Sequence, residues 1–149
     1  RWSAVRYAIH TLLARTAHAQ RNYMRPYLKE LGLSSGQPKV LRYLVAMGPS
    51  SQRELADYCN VDPSAICRML DSMERAGFLV RKPSLIDRRS GRVEITQQGE
   101  QTLAAWEEQC MTIEEQMLRG FSPEEREQLT NFLERAYRNV GGRFLEGGK

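Results

Sequence analysis

Hydrophobic residues recur every three or four positions along most of this chain, which is the spacing of one face of a helix. After the fourth helical segment the pattern changes to two short apolar runs, at residues 78–80 and 93–96, on either side of a polar tip at 87–91. That change predicts a β-hairpin. The whole pattern predicts one long helix, three short helices, a hairpin and two longer helices, at about residues 5–31, 35–46, 51–58, 62–76, 78–96, 97–119 and 123–140.

Capping residues support the predicted helix starts. Ser34, Ser51 and Ser122 each precede Gln or Glu by three residues, the pattern of a capping box. Asp62 stands before a proline, which is favoured at the first helical position, and Thr96 follows the second strand. In each case we expect the side-chain oxygen to accept a backbone N–H of the first turn.

Three short helices followed by a hairpin form a winged helix-turn-helix. In the last of these helices Ile66, Leu70 and Met73 recur on one face. The opposite face carries Ser64, Arg68, Asp71 and Arg75. A helix that presents serine and arginine from a capped N-terminus can lie in a major groove of DNA. We therefore predict a mainly α fold with a small β-hairpin wing, in which residues of about 33–99 form the winged helix-turn-helix of a single domain, 1–149.

The outer helices, at about residues 1–31 and 100–145, carry apolar stripes that face away from the winged part. We predict that they pack against the same helices of a second subunit and form a homodimer. Packing within one chain is the alternative. The stripes are Val5, Ile9, Leu12 and Leu13; Leu103, Trp106, Cys110, Ile113 and Met117; and Leu129, Phe132, Leu133, Ala136 and Val140.

Charge is concentrated around the hairpin. Residues 75–92 hold six basic residues against one acid, Asp87. The charge sums to +6 over residues 1–61, +2 over 62–96 and −4 over 97–149. A basic front favours nucleic acid as the partner, although charge alone would also fit a protein with a modestly basic face. The six are Arg75, Arg81, Lys82, Arg88, Arg89 and Arg92.

Several classes of protein are disfavoured. No apolar run approaches the roughly 18 residues of a spanning helix, so no membrane partner is expected. Cys59, Cys67 and Cys110 have no CxxC spacing, which argues against a disulfide framework or a zinc site and makes a reducing cytoplasm the simplest compartment. No nucleophile–base arrangement, metalloprotease motif or phosphate loop can be read, so we predict no enzyme and no cofactor.

The chain resembles the MarR family of bacterial transcription regulators. Residues 33–41 look like the family's second-helix entry, Leu-Thr-x-x-Gln-x-x-x-Leu, with Pro38 in place of the usual bulky apolar residue. Residues 54–56 and 64–77 match the following helix and the recognition helix. The most specific match is the wing, Asp87-x-Arg89-x-x-x-Val93-x-Ile95-Thr96-x-x-Gly99. Together these motifs cover about residues 31–99.

The resemblance implies a homodimer that binds a pseudo-palindromic duplex, with a recognition helix in each major groove and a wing in each adjacent minor groove. Carried over by position, Ser64 and Arg68 face the major groove, and Arg89 inserts at the wing tip. Asp87 helps to fix the arginines of the wing, and Arg88 contacts phosphate or the minor groove. The remaining residues assigned to the DNA interface are the wing residues Lys82 and Arg92 and the helix starts at Ser34, Ser51 and Asp62, whose backbone N–H groups would face phosphates.

The resemblance also implies a repressor that a small aromatic or amphipathic molecule releases, bound in a cleft between the dimer helices and the winged part. Two alternatives remain open: a thiol-based redox response through Cys67, and an effector-free nucleoid-associated protein. Each candidate effector residue also has a plainer interpretation as a core or solvated side chain. The candidates by approximate position are His10, His18, Arg21, Tyr43, Trp106 and Cys110.

Overall fold

The computed structural model describes residues 8–83 and 91–145. The polypeptide follows the predicted order of elements, with one strand more than the sequence pattern indicates. The helices are α1 (Ile9–Glu30), α2 (Gln37–Met47), α3 (Gln52–Cys59), α4 (Pro63–Arg75), α5 (Gln97–Met117) and α6 (Pro123–Asn139), and the strands are β1 (Ser50–Ser51), β2 (Leu79–Lys82) and β3 (Arg92–Ile95).

The three strands form one antiparallel sheet in the order β1-β3-β2. In the wing, Leu79 pairs with Ile95 and Lys82 with Arg92, while Ser50 of β1 pairs with Val93. The sequence pattern missed β1 because two serines carry no apolar alternation. The strand forms because its backbone completes the free edge of β3, which also fixes the entry to α3.

The core lies where α2, α3, α4 and the start of α5 meet the sheet. Its fully buried members include Leu41, Leu55, Leu70 and Val93, which come from four different elements. The apolar face predicted for α4 is buried as expected, because Ile66, Leu70 and Met73 are all within this core. α4 is therefore held by one face, and the other face is free to present polar side chains.

The helix caps follow the prediction at four of five starts. Ser51, Asp62, Thr96 and Ser122 each accept a first-turn N–H, and Ser122 forms the complete capping box with Glu125. The prediction for Ser34 is wrong in its serine half. The cap is Gly36 in the left-handed region (φ 87°), so α2 begins at Gln37, and only the glutamine half of the box is present: Ser34 N–H donates to Gln37 Oε1 at 3.0 Å.

The three apolar stripes have different environments. Leu103 and Ile113 of α5 are buried within the chain, and Trp106 packs against the core, so the alternative of packing within one chain holds for most of this stripe. The stripes of α1 and α6 remain exposed in one chain, and α6 contributes no buried residue. Val5 lies outside the described residues.

A pair of glycines ends α6. Gly141 and Gly142 close the helix with a Schellman motif, in which Gly141 N–H donates to Arg138 O and Gly142 N–H to Tyr137 O. Gly141 adopts the left-handed conformation that this motif requires (φ 84°). The chain therefore turns back towards the winged part instead of continuing away from it.

Candidate nucleic-acid interface

The exposed face of α4 is the centre of the candidate interface. Ser64, Arg68 and Arg75 are exposed, as the helical spacing predicted. Their positions are fixed from behind by Ile66 and Leu70, which have essentially no solvent exposure. A helix anchored in this way presents its polar residues on a rigid support.

The N-terminus of α4 offers fewer free N–H groups than a helix start usually does. Asp62 Oδ1 accepts Ala65 N–H at 2.8 Å, and Pro63 has no N–H to donate. Among the first three helical residues this leaves Ser64 N–H for an anion. The carboxylate of Asp62 would also repel a phosphate, so the hydroxyl and N–H of Ser64 are better placed for DNA than Asp62 itself.

Arg81 has a structural role that its place in the basic stretch does not indicate. Its guanidinium binds Asp71 and donates to Glu74 Oε1 at 3.0 Å. The backbone N–H of Arg81 donates to Glu74 Oε2 at 2.9 Å. These hydrogen bonds lower the pKa of Glu74, and the bond to Asp71 raises the pKa of Arg81. The Arg81 charge is thus neutralised by two carboxylates of its own chain, and Asp71, predicted on the exposed face of α4, is half-buried in this contact.

The two other basic residues of the wing strands are more accessible. Lys82 Nζ lies 2.8 Å from Glu94 Oε2, and because Lys82 is exposed and Glu94 only half-buried, water screens this pair. Arg92 is exposed at the start of β3, where one guanidinium nitrogen lies 3.4 Å from Pro49 O. Both project from the part of the hairpin nearest its tip. The predicted contacts Asp87, Arg88 and Arg89 lie outside the described residues.

The remaining predicted contacts, Ser34 and Ser51, lie before α2 and α3. Ser34 is exposed in the loop before α2, and Ser51 is half-buried in β1, where its side chain accepts Glu54 N–H at 3.1 Å. The sheet pairs Ser51 directly with Arg92, which places the start of α3 beside the wing. An exposed polar helix, a wing and a second helix start are therefore joined through one small sheet.

Residues 33–90 match the sequence model of the MarR family. The resemblance that the motifs predicted is confirmed, and the matched region runs from before α2 into the wing. Solved structures match the fold of this protein over most of its chain. The crystal structure of MarR matches with a TM-score of 0.83 at 24% identity, and the alignment covers 94% of this chain and 95% of that one.

Two further structures show the same winged fold. The transcriptional regulator SlyA matches with a TM-score of 0.78 at 24% identity, covering 90% of this chain and 94% of that chain. The MepR–DNA complex from S. aureus matches with a TM-score of 0.76 at 19% identity, covering 91% and 99%. The mainly α fold with a winged helix-turn-helix, predicted from the sequence, is therefore confirmed as a MarR-type fold.

The MarR-like fold does not gather the six predicted effector residues into one described site. His10, His18 and Arg21 are exposed along α1. Trp106 packs against the core, which is the plainer interpretation of this residue. Among the six, Tyr43 lines a cleft of ≈360 Å³, which the turn at the end of α6 closes on one side.

The cysteines are dispersed among three helices. Burial raises the pKa of the Cys59 and Cys110 thiols, which makes the reactive thiolate form scarcer. Cys67 is half-buried on α4, between buried Ile66 and exposed Arg68. Within the described ranges, no group of three His, Cys, Asp or Glu side chains could hold a metal ion, and no helix combines the length and apolarity needed to cross a membrane.

Proposed function

We propose that this protein is a homodimeric, sequence-specific DNA-binding transcription regulator that acts as a repressor and is released by a small molecule. The observation that carries this proposal is the two-sided character of α4. Its apolar face is fully buried, while Ser64 and Arg68 project from the opposite face beside a basic wing. This is the arrangement of a recognition helix.

The contacts divide by role. Ser64 and Arg68 would meet base edges in the major groove, since they lie in the first two turns of α4. Lys82 and Arg92 would meet the backbone near the wing, where a positive charge contributes affinity and salt dependence but little sequence choice. Arg88 and Arg89 would supply the wing-tip contacts. The related MepR fold has been crystallised with DNA, which supports this use of the fold.

The proposed dimer is supported by the apolar surface that one chain leaves exposed. Ile9 on α1 is 85% exposed, and Phe132 on α6 is 58% exposed. Amphipathic helices gain most of their stability from tertiary packing of the apolar face. A second copy that buries the same stripes supplies that packing, and it would set two recognition helices about one DNA turn apart on a pseudo-palindromic site.

The test is a comparison of specific and nonspecific DNA affinity. A bound duplex is first selected from genomic fragments, and wild type is compared with Arg68→Ala and with Arg119→Ala, an exposed arginine in the turn that follows α5. Loss of a base contact costs about 1–3 kcal/mol, so Arg68→Ala should weaken specific binding by about 5- to 150-fold and lower the specific-to-nonspecific ratio. Arg119→Ala should behave as wild type.

Two outcomes would contradict the proposal. Unchanged operator affinity in Arg68→Ala would remove α4 from the major groove. Equal affinity of wild type for selected and random duplexes, with a steep salt dependence, would favour the nucleoid-associated alternative over a regulator.

A further inference from the structure

The turn after α6 brings the side chain of Arg143 into contact with the winged part. After the Schellman motif of α6, Arg143 Nη1 lies 3.1 Å from Asp57 Oδ2, and Arg143 Nη2 donates to Asp57 O at 3.1 Å. Asp57 belongs to α3, so these two hydrogen bonds connect α6 with the helix-turn-helix. They join residues that are 86 positions apart in the sequence.

Packing around the turn holds it in this position. Gly142 lies against the ring of Tyr137, where an added Cβ would approach ring carbons to 2.3 Å. Tyr137 Oη donates to Arg143 O at 3.0 Å, and its ring meets Phe144 edge-on with centroids 5.0 Å apart. The turn is therefore built from specific contacts.

A cleft of ≈360 Å³ lies between this turn and the helices α2 and α3. This volume is within the range of small-molecule sites. One wall is aromatic, since the rings of Tyr43 and Tyr58 lie in contact with centroids 4.8 Å apart and planes tilted by 39°. Met47, Phe144 and Leu145 add apolar surface, and the carboxylates of Glu54 and Asp57 line the cleft beside Arg143.

The charge of the lining favours a positive ligand. Burial raises the pKa of Tyr43, and the nearby carboxylates of Glu54 and then Asp57 raise it further, whereas Arg143 acts in the opposite direction. Among the described residues that line the cleft, Arg143 is the only cationic one. Aromatic faces and carboxylates together are the environment in which proteins bind organic ammonium groups.

We propose that this cleft binds an amphipathic organic cation, whose apolar group rests on Tyr43 and Tyr58 and whose charge replaces the Arg143 guanidinium at Asp57. Arg143 is then an internal competitor that occupies the position of the ligand's charge. The coupling to DNA rests on the proposed function. Displacing Arg143 frees the end of α6 from α3. The helix-turn-helix is then held less firmly to α6, one of the helices of the proposed dimer, which set the distance between the two recognition helices.

Binding can be tested without DNA. Benzyltrimethylammonium is titrated into the full chain by calorimetry, next to neopentylbenzene, which has the same shape with a carbon in place of the charged nitrogen. We expect the cation to bind and the neutral compound to bind at least about tenfold more weakly. Glu54→Gln should weaken the cation by about tenfold, because it removes one carboxylate and leaves the contact between Arg143 and Asp57 intact.

Arg143→Gln is the decisive variant, because it removes the competitor. It should bind the cation about three- to tenfold more tightly than wild type, whereas Arg135→Gln, which changes the net charge equally from an exposed site on α6, should not. Equal binding of the two compounds, or equal behaviour of the two arginine variants, would overturn the site.

The coupling has a separate readout. On the selected duplex, benzyltrimethylammonium should lower the affinity of wild type, and Arg143→Gln alone should already show part of that loss. If the cation binds and the DNA affinity stays constant, the coupling is wrong while the site remains. If Arg68→Ala weakens DNA binding and no cation binds, the site is wrong while the proposed function remains.

Discussion

At Gly99 the backbone of α5 lies so close to the backbone of Phe78 that a side chain has no room. It lies in the first turn of α5, where Thr96 Oγ1 accepts its N–H at 3.0 Å and also donates to Gly77 O at 2.6 Å. A Cβ on Gly99 would lie 2.1 Å from Phe78 O and 2.8 Å from Ile95 Cγ1. The glycine is required because α5 starts directly against the hairpin.

We expect Gly99→Ala to destabilise the protein by about 1–3 kcal/mol or more, because an overpacked site must shift backbone. Helix propensity opposes this, since alanine is favoured over glycine by about 1 kcal/mol within a helix. Urea unfolding followed by circular dichroism measures the difference. Gln97→Ala, at an exposed position two residues earlier, is the control and should remain close to wild type. A Gly99→Ala variant as stable as wild type would show that the junction is looser than described.

At the scale of elements, one arginine determines how the wing meets the helix-turn-helix. Arg81 on β2 binds Asp71 and Glu74 on α4 and reaches Gln52 Oε1 on α3 at 3.4 Å. The hairpin is therefore held to both helices by polar contacts as well as by the core. The sequence shows a basic strand at this position, but only the packed elements show which of its charges remain available for DNA.

This arrangement makes part of the stability depend on pH. The pKa of Glu74 lies below its ordinary value of 4.5 in the folded protein, mainly because the Arg81 N–H and guanidinium donate to it. A lowered folded-state pKa means that its contribution is fully present above about pH 4.5 and is lost as the pH falls through the folded value. We expect the free energy of unfolding to fall less steeply below pH 4.5 in Glu74→Gln than in wild type.

The control for this acid dependence is Glu127→Gln, an exposed carboxylate on α6. It should keep the wild-type dependence. Arg126 also lowers the pKa of Glu115, and that contribution remains in both variants, so the comparison isolates Glu74. Parallel curves for wild type and Glu74→Gln would contradict a stabilising role for the contact with Arg81.

At the scale of the whole molecule, some apolar residues of the outer helices are buried within the chain and others remain exposed. α5 buries Leu103 and Ile113 within its own chain, and Met24 of α1 is buried as well. The start of α1 and the length of α6 keep their apolar stripes exposed, with Val140 84% exposed. A second subunit is the proposed cover for this surface.

We expect wild type to sediment at twice the chain mass of 17.1 kDa at micromolar concentration, and Phe132→Asp to weaken the dimer by at least about tenfold, because a buried unpaired charge is costly at an interface. Asn131→Asp adds the same charge on the opposite side of α6 and should remain dimeric. Sedimentation velocity distinguishes them. A wild type that stays at the single-chain mass would refute the dimer and the paired recognition helices with it.

The sequence by itself determined the order and type of the six helices and the hairpin, four of the five predicted caps and the two faces of α4. Each of these depends on residues a few positions apart, within reach of one helix turn or one hairpin. Tertiary structure decided what depends on distances between elements: strand β1, the neutralisation of Arg81, the requirement for Gly99, and the return of Arg143 to Asp57. These contacts join residues of different elements, whether close in sequence, as for Arg81 and Glu74, or 86 positions apart, as for Arg143 and Asp57. Their residues carry no local pattern because the partner of each lies on another element.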